Sequence, residues 1–146
     1  NPALIDAVAQ TYGSQCMVLS IEAKKRGNTW EAYYDNGREP SGLDVVGWAM
    51  EAEQRGAGEI ILTSVDQEGS RKGFDSDLIR AVTSKVDIPV VASGGMGSLD
   101  DLTDVIDVGG ADAIAMAHVL HYEVINIRQI RSYCLERGWP VRSVKN

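Results

Sequence analysis

Hydrophobic positions along this chain fall into four short apolar runs, separated by longer stretches with helical periodicity. The runs cover residues 15–23, 59–64, 88–93 and 112–117 and are apolar at most positions. Strands with one solvent-exposed face alternate between apolar and polar residues, whereas strands that are buried on both faces are apolar nearly throughout. The pattern therefore predicts four buried strands.

Apolar residues between the runs recur every three to four positions, which indicates helices. Asn1 and Pro2 suit a helix start, and Gly13 ends that first helix. Further helices are predicted from Leu43 to a stop at Gly56, over residues 75–85, after Ser98 as the cap with Asp101 three residues on, and over residues 123–137.

A weaker alternation covers residues 30–34 and is followed by Asp35, Asn36 and Gly37, a strong hairpin-turn signal. This pattern predicts a small antiparallel ribbon inserted in a loop.

One helix followed by four strand–helix units predicts an α/β fold with a parallel sheet. The triplet at residues 56–58 before one strand recurs in similar form at residues 110–112, as in a barrel built by duplication. With 146 residues the chain falls well short of the roughly 250 of a complete TIM (βα)8 barrel. The prediction is a single half-barrel domain over residues 1–146, with a flavodoxin-like open sheet as the alternative.

Composition and charge narrow the function classes. The chain is 44% hydrophobic and carries a net charge of −7, which suits a globular protein and argues against nucleic-acid binding. No apolar run reaches the 18 or so residues of a membrane span, so no membrane association is expected. Cys16 and Cys134 are predicted to be buried thiols in a reducing compartment, which indicates the cytoplasm. Because the first residue is Asn1 rather than methionine, we expect a fragment, a processed product or a trimmed chain.

Ligands of parallel sheets bind beyond the carboxyl ends of the strands, so the carboxyl end of the third predicted strand is a candidate binding site. The run 88–93 leads directly into Gly94, Gly95, Met96 and Gly97. Bare glycine amides at a strand end form a nest that suits a phosphate group. The motif predicts a phosphorylated small-molecule ligand, and a tight turn without a ligand is the alternative.

Polar side chains follow the other strands. Glu22 would point into the mouth of a barrel and act as a general acid or base, unless it pairs with Lys24 or lies in solvent. Asp66 and Glu68 lie on a loop and either face the same site or are solvated. The remaining candidate positions at strand ends are Thr63, Ser64, Ser93, Ala117, His118 and His121. No metal-ligand spacing or cofactor fingerprint is present, so no metal or cofactor is predicted.

Several motifs in order carry a resemblance to a known family. These are residues 13–16, 20–24, 56–60, 62–64, Gly69, 73–75 and 92–95. Over nearly its whole length the chain resembles the cyclase subunit of imidazole glycerol phosphate synthase, the HisF family, from the helix before strand five to the C-terminus.

The resemblance implies a function in histidine biosynthesis. The family's enzyme combines ammonia from a glutaminase partner (HisH type) with phosphoribulosyl-formimino-AICAR phosphate, giving imidazole glycerol phosphate and AICAR. Glu22 matches a catalytic aspartate on strand five, and Glu68 matches a loop aspartate after strand six, each one methylene longer here. The resemblance therefore implies that both carboxylates are catalytic. Glu59 matches a residue that gates ammonia entry. The substrate- or phosphate-binding positions are Ser93, Gly94, Gly95, Ala117, His118, Thr63 and Ser64.

The two longer carboxylates leave other functions open. One is a HisF-like subunit that delivers ammonia for sugar amidination, and another is a non-catalytic phosphate-binding half-barrel. The family's strand-one aspartate lies outside this chain, so the chain alone is expected to be inactive. A half-barrel exposes two strand edges and an apolar inner face, which predicts self-association.

Overall fold

The computed structural model describes residues 1–142, so the last four residues of the predicted domain lie outside the described part. It contains one six-stranded sheet in the order β3-β2-β1-β4-β5-β6. The strands are β1 Val18–Arg26, β2 Thr29–Tyr34, β3 Glu39–Asp44, β4 Glu59–Ser64, β5 Val90–Ser93 and β6 Ala113–Ala115. The helices are α1 Ala3–Tyr12, α2 Val45–Gln54, α3 Ser76–Thr83, α4 Asp101–Thr103, α5 His118–His121 and α6 Ile127–Glu136, with a π-helix at Asp104–Val108 after α4.

Four of the strands form the parallel part of the sheet. β1 pairs with β4, β4 with β5 and β5 with β6, so spatial order follows chain order. Right-handed crossovers that always advance in one direction place every helix on the same side of the sheet. A flavodoxin-like sheet reverses direction and has helices on both sides. The half-barrel prediction is confirmed, and the open-sheet alternative is wrong.

Burial along β4 shows which side the helices cover. Ile60, Leu62 and Ser64 are at most 2% exposed, whereas Glu59 and Thr63 are only partly buried. The helix-facing core is Ile21, Ala23, Ala32, Val45, Ala49, Ile60, Leu62, Leu78, Ile79, Val82, Val86, Val90, Ala92, Val105 and Ala111. The opposite face, which would line a barrel, is not covered by residues 1–142.

The predicted ribbon joins the sheet instead of standing apart in a loop. β2 pairs antiparallel with β1 and β3 with β2, so both extend the sheet beyond β1. Leu43, predicted to begin a helix, lies in β3 and is 45% exposed. That prediction is wrong because Asp44 caps α2, its carboxylate accepting the Gly47 N–H at 2.9 Å.

Local capping explains most other differences at element ends. The strand predicted from residue 15 begins at Val18, because Ser14–Cys16 forms a 3-10 turn. The last helix begins at Ile127 rather than near residue 123, after a capping box between Asn126 and Gln129. Ser98 does not cap α4: Asp101 accepts the backbone N–H groups of Gly97 and Ser98, both at 2.8 Å.

The two thiols differ in environment. Cys134 is buried, and that burial raises the pKa of its thiol. Cys16 is exposed, so the prediction that it is buried is wrong. Both are free. Within residues 1–142, no helix is long and apolar enough to cross a bilayer.

Candidate functional site

Four positions lie side by side at the carboxyl end of the parallel strands. Glu22 is in register with Thr63, Thr63 with Ser93, and Ser93 with Ala115. All four are partly buried. Glu22, Thr63 and Ser93 alternate with buried helix-facing residues, so their side chains lie on the open face, and Ala115 is in register with Ser93. Adjacent strands lie about 4.8 Å apart, which puts the Glu22 and Ser93 backbones about 10 Å apart. We call these four positions the strand-end row.

Gly94 and Gly95 follow the row on β5 and must be glycine. Their φ angles are 91° and 106°, in the left-handed region that other residues avoid. A Cβ on Gly94 would lie 2.9 Å from the Ser64 carbonyl oxygen, and one on Gly95 would overlap the Gly73 carbonyl oxygen. The Gly73 N–H in turn donates to the Gly95 carbonyl at 2.9 Å. Two loops therefore meet backbone to backbone at this point.

The amides of this turn fall into two groups. Gly97 and Ser98 donate to Asp101, as described above. Gly94 and Gly95 are buried, and their N–H groups donate to no acceptor among residues 1–142. Buried backbone donors are almost always paired, so two unpaired ones at a strand end are available to an acceptor from outside the chain, and we call them the glycine cradle. The cradle is therefore centred on the first two glycines.

A cavity of about 230 Å³ opens beside the cradle. It is lined by Glu68, Gly69, residues 93–96 and residues 115–119. Ala117 and His118 from the β6 end therefore line the same cavity as Gly94 and Gly95 from the β5 end. The His118 ring packs on Tyr122 with the ring centroids 4.5 Å apart.

Glu68 brings negative charge to the rim of this cavity. Its Oε2 atom lies 3.2 Å from where a Cβ on Gly94 would be, and the residue is exposed. A carboxylate repels a phosphate, so Glu68 must turn outward when an anion occupies the cradle. Its exposure leaves it free to do so.

Glu22 is held by the hairpin. Its Oε2 atom accepts the backbone N–H of Gly37, at the turn between β2 and β3, at 2.6 Å. Lys24, the alternative partner, forms no ion pair with Glu22 among residues 1–142, and its ammonium lies 5.5 Å from the centre of the Tyr33 ring. Glu22 is thus partly buried and bound through one oxygen only.

Some candidates lie away from the row. Asp66 accepts the backbone N–H of Lys25 at 2.7 Å, which fixes the loop to β1. The Ser64 side chain is buried on the helix-facing side, where its hydroxyl lacks a hydrogen-bond partner within residues 1–142. The Ser64 carbonyl accepts the Glu68 N–H at 3.0 Å, so Ser64 acts on this site through its backbone.

Glu59 lies at the far end of the same sheet. It is the first residue of β4 and pairs with Val18, on the open face that also carries Thr63. Thr63 is four positions further along the strand, about 13 Å away. Within residues 1–142, no three His, Cys, Asp or Glu side chains are grouped closely enough to hold a metal ion.

Two functional contacts went unrecognised in the sequence. The turn at Gly37 was identified, but not its bond to Glu22. Asp101 was assigned to a helix cap, not to the two amides that it removes from the glycine loop. A hairpin signal placed directly after a strand-end carboxylate is the pattern that could have indicated the first contact.

Comparison with known proteins agrees with this geometry. The model of the histidine biosynthesis protein family matches residues 1–126. The chain is 48% identical over 142 residues to the imidazole glycerol phosphate synthase subunit HisF of Dehalococcoides mccartyi strain BAV1, covering 97% of this chain and 56% of that protein. The HisF subunit of strain CBDB1 is also 48% identical, and that of strain 195 is 45% identical, with the same coverage.

The chain spans about half the length of the curated relatives it matches. The four parallel strands, the glycine cradle and the strand-end carboxylate all fall within the matched region. The chain therefore belongs to the histidine biosynthesis protein family and corresponds to one half of a HisF-type barrel.

Proposed function

We propose that this chain is the C-terminal half of a cyclase subunit of imidazole glycerol phosphate synthase, acting in the cytoplasm as one half-barrel unit. The observation that carries the proposal is the pair of unpaired buried amides at Gly94 and Gly95, beside a row that begins with Glu22. The cradle directly follows Ser93, whose backbone lies about 10 Å from that of Glu22. This arrangement of an anion cradle and a partly buried carboxylate suits a phosphorylated substrate several bonds long.

The proposed mechanism uses the distance between the glycine cradle and Glu22. One phosphate of phosphoribulosyl-formimino-AICAR phosphate binds the amides of Gly94, Gly95, Ala117 and His118. The anchored substrate then extends along the strand-end row, over Thr63 and Ser93, and brings its reacting carbons to Glu22. There the carboxyl group donates or accepts a proton as ammonia adds and AICAR leaves, with Glu68 turned away from the bound phosphate.

A complete site needs a second half. In the family, a further catalytic aspartate lies on strand one, outside this chain, and would face Glu22 across the barrel. We expect the chain alone to show no turnover of the formimino substrate with ammonia. Mixed with the N-terminal half of the Dehalococcoides mccartyi HisF subunit, the part that this chain does not match, it should regain cyclase activity.

The measurement is the release of AICAR with ammonium as the nitrogen source. The same N-terminal half mixed with the matching D. mccartyi C-terminal half is the positive control. A mixture that forms a complex of both halves but gives no AICAR, while the control pair is active, would refute the cyclase proposal.

Ammonia would enter from the other end of the barrel. Glu59 stands at the amino end of β4, about 13 Å from Thr63, on the same open face. This position supports its proposed role as a gate, and a glutaminase partner would bind at that end. Ammonia released there would travel along the barrel axis to Glu22.

The open face also supports self-association when no N-terminal half is present. Its apolar members are Val18, Ala115 and the row of Ile61, Val91 and Ala113, which are in register across β4, β5 and β6. β3 and β6 each leave a strand edge without a neighbour within residues 1–142. A second copy of the chain would cover the same face of the first.

We expect light scattering to show a dimer or larger oligomer that dissociates on dilution. Ile61→Lys should shift the chain toward monomer, because a charge in the covered face is desolvated without a partner. Val108→Lys is the matched control, since Val108 is 50% exposed and lies on the helix side. A wild-type chain that stays monomeric from micromolar to millimolar concentration would contradict this prediction.

A second candidate function rests on the two longer carboxylates. Glu22 extends to the hairpin and Glu68 to the rim beside Gly94, so both narrow the mouth. A narrower mouth would favour a different acceptor, as in a HisF-like subunit that supplies ammonia for sugar amidination. An active reconstituted barrel that consumes ammonia with a sugar acceptor but not with the formimino substrate would support this candidate over the first. Phosphate binding with no turnover on either acceptor would indicate a non-catalytic half-barrel.

A further inference from the structure

The hairpin tip makes two contacts at this end of the sheet, one with Glu22 of the strand-end row and one with Val65 in the loop after β4. The Gly37 N–H donates to Glu22 Oε2 at 2.6 Å. A Cβ on Gly37 would lie 2.9 Å from both methyl groups of Val65, so the Gly37 backbone rests directly on that side chain. Val65 begins the loop that carries Glu68, and its N–H donates to the Ala23 carbonyl at 2.9 Å. One glycine thus contacts both carboxylate-bearing segments.

The turn conformation determines where the Gly37 amide points. Asp35, Asn36 and Gly37 have consecutive φ angles of 52°, 56° and 73°, and the Arg38 N–H closes the turn on the Tyr34 carbonyl at 3.2 Å. Gly37 is buried although it lies at the tip of a hairpin. Three left-handed residues in succession curl the tip inward, which directs a backbone donor at Glu22.

Side-chain length at position 22 matches this donor. An aspartate is shorter by one carbon–carbon bond, about 1.5 Å, and its oxygen would lie about 4 Å from the Gly37 nitrogen. That is beyond hydrogen-bond distance. A glutamate at this strand end and the inward turn therefore form a matched pair.

We propose that the turn formed by Asp35, Asn36 and Gly37 is a positioning device for Glu22, which binds Oε2 and leaves Oε1 to face the substrate. Gly37 is a positioning residue, and through Val65 it couples the orientation of Glu22 to the loop that carries Glu68. The inference rests on the proposed function for its catalytic consequence, whereas the contact itself is testable without any activity.

The first test is amide hydrogen exchange at Gly37, measured by NMR on the chain. Loss of a hydrogen bond to a charged acceptor should speed exchange about tenfold or more in Glu22→Asp. Glu22→Gln should fall between wild type and Glu22→Asp, because its amide oxygen still accepts a weaker bond. Exchange at Gly37 that is equal in wild type and Glu22→Asp would overturn the proposal.

The hairpin offers a matched control. Glu31 Oε1 accepts the backbone N–H of Gly42 at 2.9 Å, another glycine amide bound by a hairpin carboxylate. Glu31→Asp should speed exchange at Gly42 and leave Gly37 unchanged, and Glu22→Asp should do the reverse. Faster exchange at both glycines in either variant would mean general loosening of the hairpin and would also overturn the proposal.

The second test separates positioning from catalysis in the reconstituted barrel. Glu22→Asp keeps a carboxylate but loses the Gly37 bond, so kcat should fall about tenfold or more while KM stays within about twofold. An unchanged kcat with faster Gly37 exchange would overturn the positioning role. If Gly37 exchange responds as expected but Glu22→Gln retains full turnover, the contact stands and the proposed catalytic role of Glu22 fails instead.

Discussion

Replacing Gly95 with alanine is expected to weaken phosphate binding about 10-fold or more and to lower the free energy of unfolding by about 2–5 kcal/mol. The φ angle of 106° costs a residue with a Cβ about 1–2 kcal/mol, and overlap with the Gly73 carbonyl adds about 1–3 kcal/mol. Relief of that overlap must separate the two loops and displace the Gly95 amide. Each amide bound to a charged oxygen contributes about 1.5–3 kcal/mol, so loss of one or two weakens binding about 10-fold to more than 100-fold.

Titration with inorganic phosphate, followed by the amide resonances of residues 94–95 and 117–118, measures the binding, and urea unfolding measures the stability. Gly27→Ala is the matched control. Gly27 has a φ of 61°, and an added Cβ there would meet nothing within 4 Å. Gly27→Ala carries the free-energy cost of a left-handed backbone but causes no steric overlap. It should therefore bind phosphate as tightly as the wild type. Equal phosphate affinity in Gly95→Ala and Gly27→Ala would exclude the glycine cradle as the binding site.

The sequence predicted the parallel strands well because each is bounded by residues with strong local preferences. β4 was predicted at both ends, since Gly58 precedes it and a polar loop follows. β1 was less accurate because its start depends on a 3-10 turn whose residues resemble strand residues. The pattern of hydrophobic residues indicates which side chains are buried, but it does not indicate which hydrogen bonds the backbone makes.

The parallel strands carry apolar residues on both faces, and packing within residues 1–142 accounts only for those on the helix-facing side. Ile61 and Val91 are as apolar as their helix-facing neighbours, yet they lie on the uncovered face. A sheet that faced water on one side would alternate with polar residues. The sequence pattern of the strands therefore fits a barrel interior better than the surface of a half-barrel.

Contacts between distant loops were beyond sequence reasoning. The motif at residues 94–97 predicted a nest, but it did not indicate that Asp101 would occupy the second half of it. The Gly95–Gly73 contact depends on the path of a whole loop. The Gly37–Glu22 bond likewise requires the hairpin to curl inward, which three left-handed residues decide together. Each of these contacts involves at least one backbone atom, and residue type encodes the position of backbone atoms only indirectly.

Replacing Glu22 with glutamine should lower the cyclase activity of the reconstituted barrel by about 10²–10⁴-fold. Removal of a general acid or base has effects of this size, and glutamine cannot exchange a proton at the substrate. Stability should change by no more than about 1 kcal/mol, because the glutamine oxygen still accepts the Gly37 N–H. The measurement is kcat for AICAR release with ammonium as the nitrogen source, at equal concentrations of both halves.

Glu31→Gln is the control for this variant. It replaces a carboxylate that also accepts a glycine N–H, but on β2 and outside the strand-end row. Its kcat should stay within about twofold of wild type, since surface substitutions away from a site have small effects. If Glu22→Gln retained the same kcat as Glu31→Gln, proton transfer would have to occur elsewhere. The role of this half of the barrel would then reduce to holding the substrate phosphate at Gly94 and Gly95.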